Sequence, residues 1–168
     1  MLEREIKAKI ESLSPEERRK LLSWLQEIVL EEQKSERKLS IVFDGGSRGN
    51  PGAGYGSYAL ILPGEPPIVK RIDFDGVMTN NEAEYRTLIE ALKGAERFLM
   101  ERKENPRTWS LDVKGDSRLV VNQVLGKWAA REPRLAALRD EVRHLMGRFG
   151  SVALSHHPRN KSVEILGH

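Results

Sequence analysis

The chain has 168 residues, 39% hydrophobic and 32% charged, which suits one domain with a helical appendage. A formal net charge of +3 is too small to argue a nucleic-acid partner by itself, so local arrangement must carry any such reading. No cysteine is present, which excludes disulfides, thiolate zinc sites and a cysteine nucleophile.

The first residues, Met1-Leu2-Glu3-Arg4-Glu5-Ile6, carry early acids and lead into no small-residue cleavage site, unlike a secretory signal. No apolar run approaches the roughly 18 residues that span a bilayer. A soluble, cytoplasmic protein with no membrane partner is the expectation. Residues 1–37 read as an N-terminal helical extension. Leu2, Ile6, Ile10 and Leu13 mark one face of a first helix. Ser14-Pro15-Glu16-Glu17 then gives an N-cap, a proline at the first helical position and a glutamate at the third, the pattern of a capping box. Leu21, Leu22, Trp24, Leu25, Ile28 and Val29 give the second helix a broad apolar face. Residues 1–38 hold nine basic and nine acidic side chains, so this arm is no basic tail. Its apolar face is expected to pack on its own domain, or to make a homodimer or partner-protein contact.

Residues 39–168 read as a second domain, and there the pattern changes to strands. Expected strands run over Leu39–Asp44, about Tyr55–Leu62 and about Ile68–Asp75, with the turn Pro63-Gly64-Glu65-Pro66-Pro67 joining the last two as a hairpin. Asn80 to about Arg102 has helical spacing at Ala83, Leu88, Leu92, Ala95 and Leu99. Trp109–Val113 is the fourth strand, Ser117–Leu125 a short helix, and Pro133 to about Gly147 another. Ser151–Ser155 is the fifth strand, and a last helix opens at Ser162, with the chain stopping at His168. Three antiparallel strands followed by helix-connected ones predict an α/β domain with a mixed five-stranded sheet. Right-handed crossovers would bring the first and fourth strand ends side by side, and Asp44 near Asp116.

Four segments carry candidate chemistry. Ser40-Ile41-Val42-Phe43-Asp44 delivers a carboxylate into the run Gly45-Gly46-Ser47-Arg48-Gly49-Asn50-Pro51-Gly52, read as a glycine-rich turn. Thr79-Asn80-Asn81-Glu82-Ala83-Glu84-Tyr85 places two acids on one helix, and Lys114-Gly115-Asp116-Ser117 sets an acid at a strand-to-helix junction. Pro158-Arg159-Asn160-Lys161-Ser162-Val163-Glu164 supplies a fourth acid. In-line hydrolysis of a phosphodiester needs an activated water, charge stabilisation on the phosphate and help for the leaving oxygen. Two Mg²⁺ ions about 4 Å apart supply all three and demand oxygen ligands. Each acid also has a plainer reading: Asp44 as a turn former, Glu84 as a solvated helix residue, Asp116 as an N-cap. Backbone amides of Gly45 to Gly52 approach a sugar-phosphate closely because glycine has no side chain. The side chains of Asn50, Asn80 and Asn81 suit paired donor and acceptor contacts with 2′-hydroxyls.

Taken together, these four segments resemble type 1 ribonuclease H over residues 39–168, and in particular the compact branch common in archaea and many bacteria. The resemblance implies a ribonuclease H-like fold, two Mg²⁺ ions with Mn²⁺ as a possible substitute, and cleavage of the RNA strand of RNA–DNA hybrids to 3′-hydroxyl and 5′-phosphate ends. It implies that Asp44, Glu84 rather than Glu82, and Asp116 are metal-binding acids. Gly45, Gly46, Ser47, Asn80 and Asn81 fall among its substrate contacts, and Thr79 with Asn50 would hold a DNA-strand phosphate. Three positions need separate comment. Glu164 stands where the family has Asp, and reads either as the fourth metal ligand or as a solvated helix residue. His157 falls where the family has His or Arg on a loop near the departing product, and reads as a proton relay or as one of two exposed loop histidines. Arg118 replaces a frequent Gln, trading a neutral contact for a phosphate contact. The family's longer members insert a basic helix after the equivalent of Gly126-Lys127-Trp128; here Lys127, Arg131 and Arg134 offer a smaller patch, with Trp128 read mainly as a core or loop anchor. The rival reading is a catalytically weakened domain that binds hybrid or double-stranded nucleic acid.

Overall fold

The computed structural model describes residues 2–167, the side chains of residues 34 and 35 excepted; His168 lies outside the described residues. The chain divides into two compact units, Met1–Glu36 and Arg37–His168.

The first unit is two helices, α1 (Leu2–Glu11) and α2 (Pro15–Glu36). Between them the capping box is formed reciprocally: Glu17 N–H donates to Ser14 Oγ at 3.2 Å, and Ser14 N–H to Glu17 Oε1 at 3.0 Å. Arg18 then donates through Nε and Nη2 to the carbonyls of Ile10 and Glu11, at 3.1 and 2.6 Å, closing the C-terminal end of α1. No helix among the described residues is long and apolar enough to cross a membrane.

The second unit is a five-stranded mixed sheet with helices on both faces. Its strands are β1 (Lys38–Arg48), β2 (Gly52–Ile61), β3 (Ile68–Met78), β4 (Ser110–Gly115) and β5 (Ser151–His156), in the order β3-β2-β1-β4-β5. β1 is antiparallel to β2 and parallel to β4. The helices are α3 (Asn80–Glu101), α4 (Arg118–Val124), α5 (Pro133–Met146) and α6 (Arg159–Leu166). Period-two alternation sorts the strands into two faces. Leu39, Ile41 and Phe43 of β1 join Tyr58 and Leu60 of β2 in the main core, against Leu88, Leu92 and Leu99 of α3. Val42 and Ala59 point the other way and meet Leu166 of α6 in a smaller cluster.

Most elements fall within a few residues of the sequence reading; two differences, at the end of β1 and at the start of α6, lie near the candidate site segments. Gly45 to Arg48 extend β1 instead of forming a turn, paired in register with Gly56 to Ala53 of β2. The glycines serve close packing: a Cβ on Gly45 would stand 2.5 Å from the Ala83 carbonyl oxygen, and one on Gly56 would collide with Thr87 Oγ1, both on α3. The reversal itself is confined to residues 49–51, where Gly49 adopts φ +92°. The second difference is α6, which begins at Arg159, not at Ser162.

Candidate active site

The parallel register of β1 with β4 sets Phe43 beside Gly115, so the next residue on β1, Asp44, and the next after β4, Asp116, emerge together. Glu84 reaches the same place from the second turn of α3. The start of that helix is fixed by Thr79, whose Oγ1 accepts the Glu82 N–H at 3.2 Å, a cap worth about 1 kcal/mol. The result is a group of three carboxylates, Asp44, Glu84 and Asp116, each offering a ligand oxygen within 4.8 Å of the others. Asp44 and Glu84 are buried and Asp116 is half-buried.

Burial pushes the Glu84 carboxyl well above its usual range, and the charges of Asp44 and Asp116 push it further. The Gly45 N–H donates to it and opposes that rise, while its hydrogen bond with the Asp44 carboxylate adds to it. Two oxygens of the group, Glu84 Oε2 and Asp116 Oδ2, are buried and have no hydrogen-bond partner. A hard divalent cation supplies what they lack: positive charge and an oxygen-seeking coordination sphere. The donor set therefore fits such an ion.

Around this group the β1–β2 reversal is clipped to the start of α3. Ser47 donates through its backbone N–H and its Oγ to Asn80 Oδ1, both at 2.9 Å, and the Asn80 N–H donates to Asn50 Oδ1 at 3.1 Å. Asn50 and Asn80 are exposed, and Thr79 and Asn81 half-buried. Gly46 is buried, and a Cβ there would meet Tyr55 Oη at 2.8 Å. Arg118 is exposed at the first position of α4, after the Ser117 cap.

The remaining predicted residues fall elsewhere. Glu82 is buried but turned away, its carboxylate 2.9 Å from Arg134 Nη1 on α5. Glu164 stands apart from the three-acid group; its side chain is 69% exposed on α6 and lies 3.8 Å from Lys161. His157 is no exposed loop residue. It is buried, its N–H donates to the Gly115 carbonyl at 3.0 Å, and its Nε2 lies 2.8 Å from Ser162 Oγ on α6. Burial lowers its pKa from 6.5, against the opposing pull of the Asp116 charge. Trp128 is half exposed, so it is not a core residue.

Several supporting residues carry no local signal in the sequence. Tyr85 Oη donates to Gln123 Oε1 at 2.7 Å, and Gln123 Nε2 to the Ala129 carbonyl at 3.4 Å, tying α3 to the segment after α4. Burial pushes the Tyr85 hydroxyl up to about 12, so it stays a donor. Arg143 caps the end of α4 through the carbonyls of Val124 and Gln123, at 3.0 and 3.2 Å.

A family model described as reverse transcriptase-like matches residues 64–164. The chain is also 35% identical over 117 residues to a ribonuclease HI of Halobacterium salinarum, covering 70% of this chain and 55% of that protein. The chain belongs to the ribonuclease H-like family. The crystal structure of ribonuclease H1 from the same archaeon superposes with a TM-score of 0.68 at 31% identity, over 77% of this chain and 92% of that one. LC11-RNase H1 in complex with an RNA/DNA hybrid superposes with a TM-score of 0.66 at 29% identity, over 76% and 90%. This ribonuclease H-like chain spans about half the length of the Halobacterium relative, and 33% of a bifunctional protein from Mycobacterium tuberculosis to which it is 34% identical.

Proposed function

We propose that this protein is a divalent-metal-dependent endonuclease that hydrolyses the RNA strand of RNA–DNA hybrids in the cytoplasm, leaving 3′-hydroxyl and 5′-phosphate ends. The observation that carries the reading is the three-acid group with its two buried, unpartnered oxygens. The likeness to LC11-RNase H1, which was solved with a hybrid, supports the substrate class. Asp44, Glu84 and Asp116 would hold Mg²⁺, as two ions, or Mn²⁺ in its place. When bound, such ions supply charge stabilisation at the phosphate and a water acidic enough to attack it.

The chain's own groups do the rest. The Gly45 N–H orients the Glu84 carboxylate. Asn80, held by Ser47 and Asn50, and the neighbouring Asn81 present amide groups to the sugar edges of the minor groove. Thr79 with Asn50 holds a phosphate of the DNA strand, and Arg118 a further phosphate by charge. His157, its Nε2 held against Ser162 Oγ, relays a proton near the departing product. Glu164 adds negative charge from α6. The N-terminal helices serve association with a second copy or a partner protein.

A second reading follows from the separation of Glu164 from the other acids: a weakened domain that grips hybrid or duplex without efficient turnover. A strand-labelled hybrid incubated with Mg²⁺ or Mn²⁺ decides between them. Cleavage confined to RNA is expected, with Asp44→Asn lowering the rate by more than about 100-fold, the scale of losing a key electrostatic group. Glu164→Gln should cost about 10-fold, the scale of an outer residue. Tight binding with no product would leave the second reading standing.

A further inference from the structure

The apolar face of α2 is centred on one residue and ends in opposite charges. At 3.6 residues per turn, Leu21, Leu22, Leu25, Ile28 and Val29 fall within about 60° on either side of Leu25, a single stripe. Leu22, Leu25, Ile28 and Val29 are each about half exposed, and no described residue of α1 or α2 is buried. The stripe reads alike in both directions from Leu25. Leu22 and Ile28 lie three positions away, Leu21 and Val29 four. Seven positions away, still on the stripe, stand Arg18 and Glu32, opposite in charge.

We propose that α2 pairs with α2 of a second copy, antiparallel, about a two-fold axis at Leu25. A two-fold pairing presents one surface to itself, so each residue must suit its own mirror position. Antiparallel pairing meets that condition along the whole stripe: Leu25 on Leu25, Leu22 on Ile28, Leu21 on Val29, and Arg18 against Glu32 at both ends. Parallel pairing would set Arg18 on Arg18 and Glu32 on Glu32, which like charge disfavours. Arg18 keeps its charge while holding the end of α1, and its guanidinium has five N–H groups, of which that contact uses two. A helix pair of this length buries near the low end of interface sizes, about 1,000 Å², so reversible association in the micromolar range is expected. The pairing is independent of the nuclease chemistry.

Two measurements on the full chain test it. Sedimentation across roughly 1–200 µM should show a monomer–dimer equilibrium that weakens in 0.5 M salt. Leu25→Glu, which sets two carboxylates on the axis, should weaken it at least about 30-fold with helix content and hybrid cleavage unchanged. Because the chain has no cysteine, orientation can be read directly by cross-linking. An oxidised mixture of Leu22→Cys and Ile28→Cys proteins should give a linked heterodimer, and neither protein alone a homodimer. A chain that stays monomeric throughout, with the stripe covered by its own domain, overturns the proposal. So does homodimer linkage through Leu22→Cys alone, or a larger assembly that Leu25→Glu leaves intact.

Discussion

Glu84→Gln should make the metal-free protein more stable while abolishing cleavage. The substitution keeps the shape of the side chain, and the Gln carbonyl still accepts the Gly45 N–H. It removes a carboxyl from the three-acid group and places an amide where Glu84 Oε2 has no partner. Two unit charges 4.8 Å apart repel by roughly 3 kcal/mol at an effective dielectric of 20. The wild type avoids the full cost by keeping a proton on Glu84, so the relief is capped by the free energy of holding that proton. The sign with pH follows. The unfolded chain loses this proton near 4.5, whereas the folded chain keeps it to well above that value. Wild-type stability therefore falls as pH rises from about 4.5 towards the raised folded value, by up to about 1.4 kcal/mol per unit. The variant has no such slope. In EDTA at pH 8 a gain of about 1–3 kcal/mol is expected, or roughly 2–10 °C in a melt for a chain of this size. At pH 5 the two should melt almost together. Saturating Mg²⁺ should raise the wild type more than the variant, because only the wild type offers all three ligands. Thermal melts at three pH values, with EDTA and with Mg²⁺, check all of this. A variant less stable than wild type in EDTA at every pH would refute the claim that these acids strain the fold until a cation joins them.

Two further outcomes follow from the surroundings of the group. Asn80→Ala removes the acceptor for both Ser47 donors and should raise KM for hybrid more than it lowers kcat, with a stability cost of about 1 kcal/mol; an unchanged KM would remove Asn80 from substrate recognition. His157, held neutral by burial, opposes acid: below 6.5 the unfolded chain takes up its proton before the folded chain does, so stability falls with pH there. His157→Asn should flatten that acid limb in EDTA melts, and an unaltered limb would mean another group sets it.

Much of this architecture is legible in the sequence because its signals are local. The capping box at Ser14 and Glu17, the helical spacing from Ala83 to Leu99 and the hairpin after Leu62 each depend on neighbours in the chain. The meeting of Asp44 with Asp116 is legible too, since a right-handed crossover sets β4 beside β1. What escaped depends on distant partners. Glycine at 45 and 46 reads as a turn, yet both residues are strand: Gly45 admits the α3 backbone pressed against the sheet, and Gly46 the Tyr55 ring of β2. Glu164 fits a motif frame, but its distance from Asp44 is set by where α6 lies on the sheet, which no spacing encodes. Burial of His157 depends on Ser162 and on the Gly115 carbonyl, neither visible as a pattern. Glu82 and Glu84 are told apart in the sequence only by the family frame; what turns Glu82 away, its contact with Arg134 on another helix, is not visible there.

The clip between Ser47, Asn50 and Asn80 has a mechanical consequence. One short stretch of α3 carries an amide fastened to the β1–β2 reversal and, one turn later, a carboxylate beside Asp44. A helix turn is stiff, so the two ends cannot drift separately. A polymer that seats badly on the amide end would tilt the acid along with it. Fidelity in choosing a strand and competence in breaking it would then fail together, with no moving gate required.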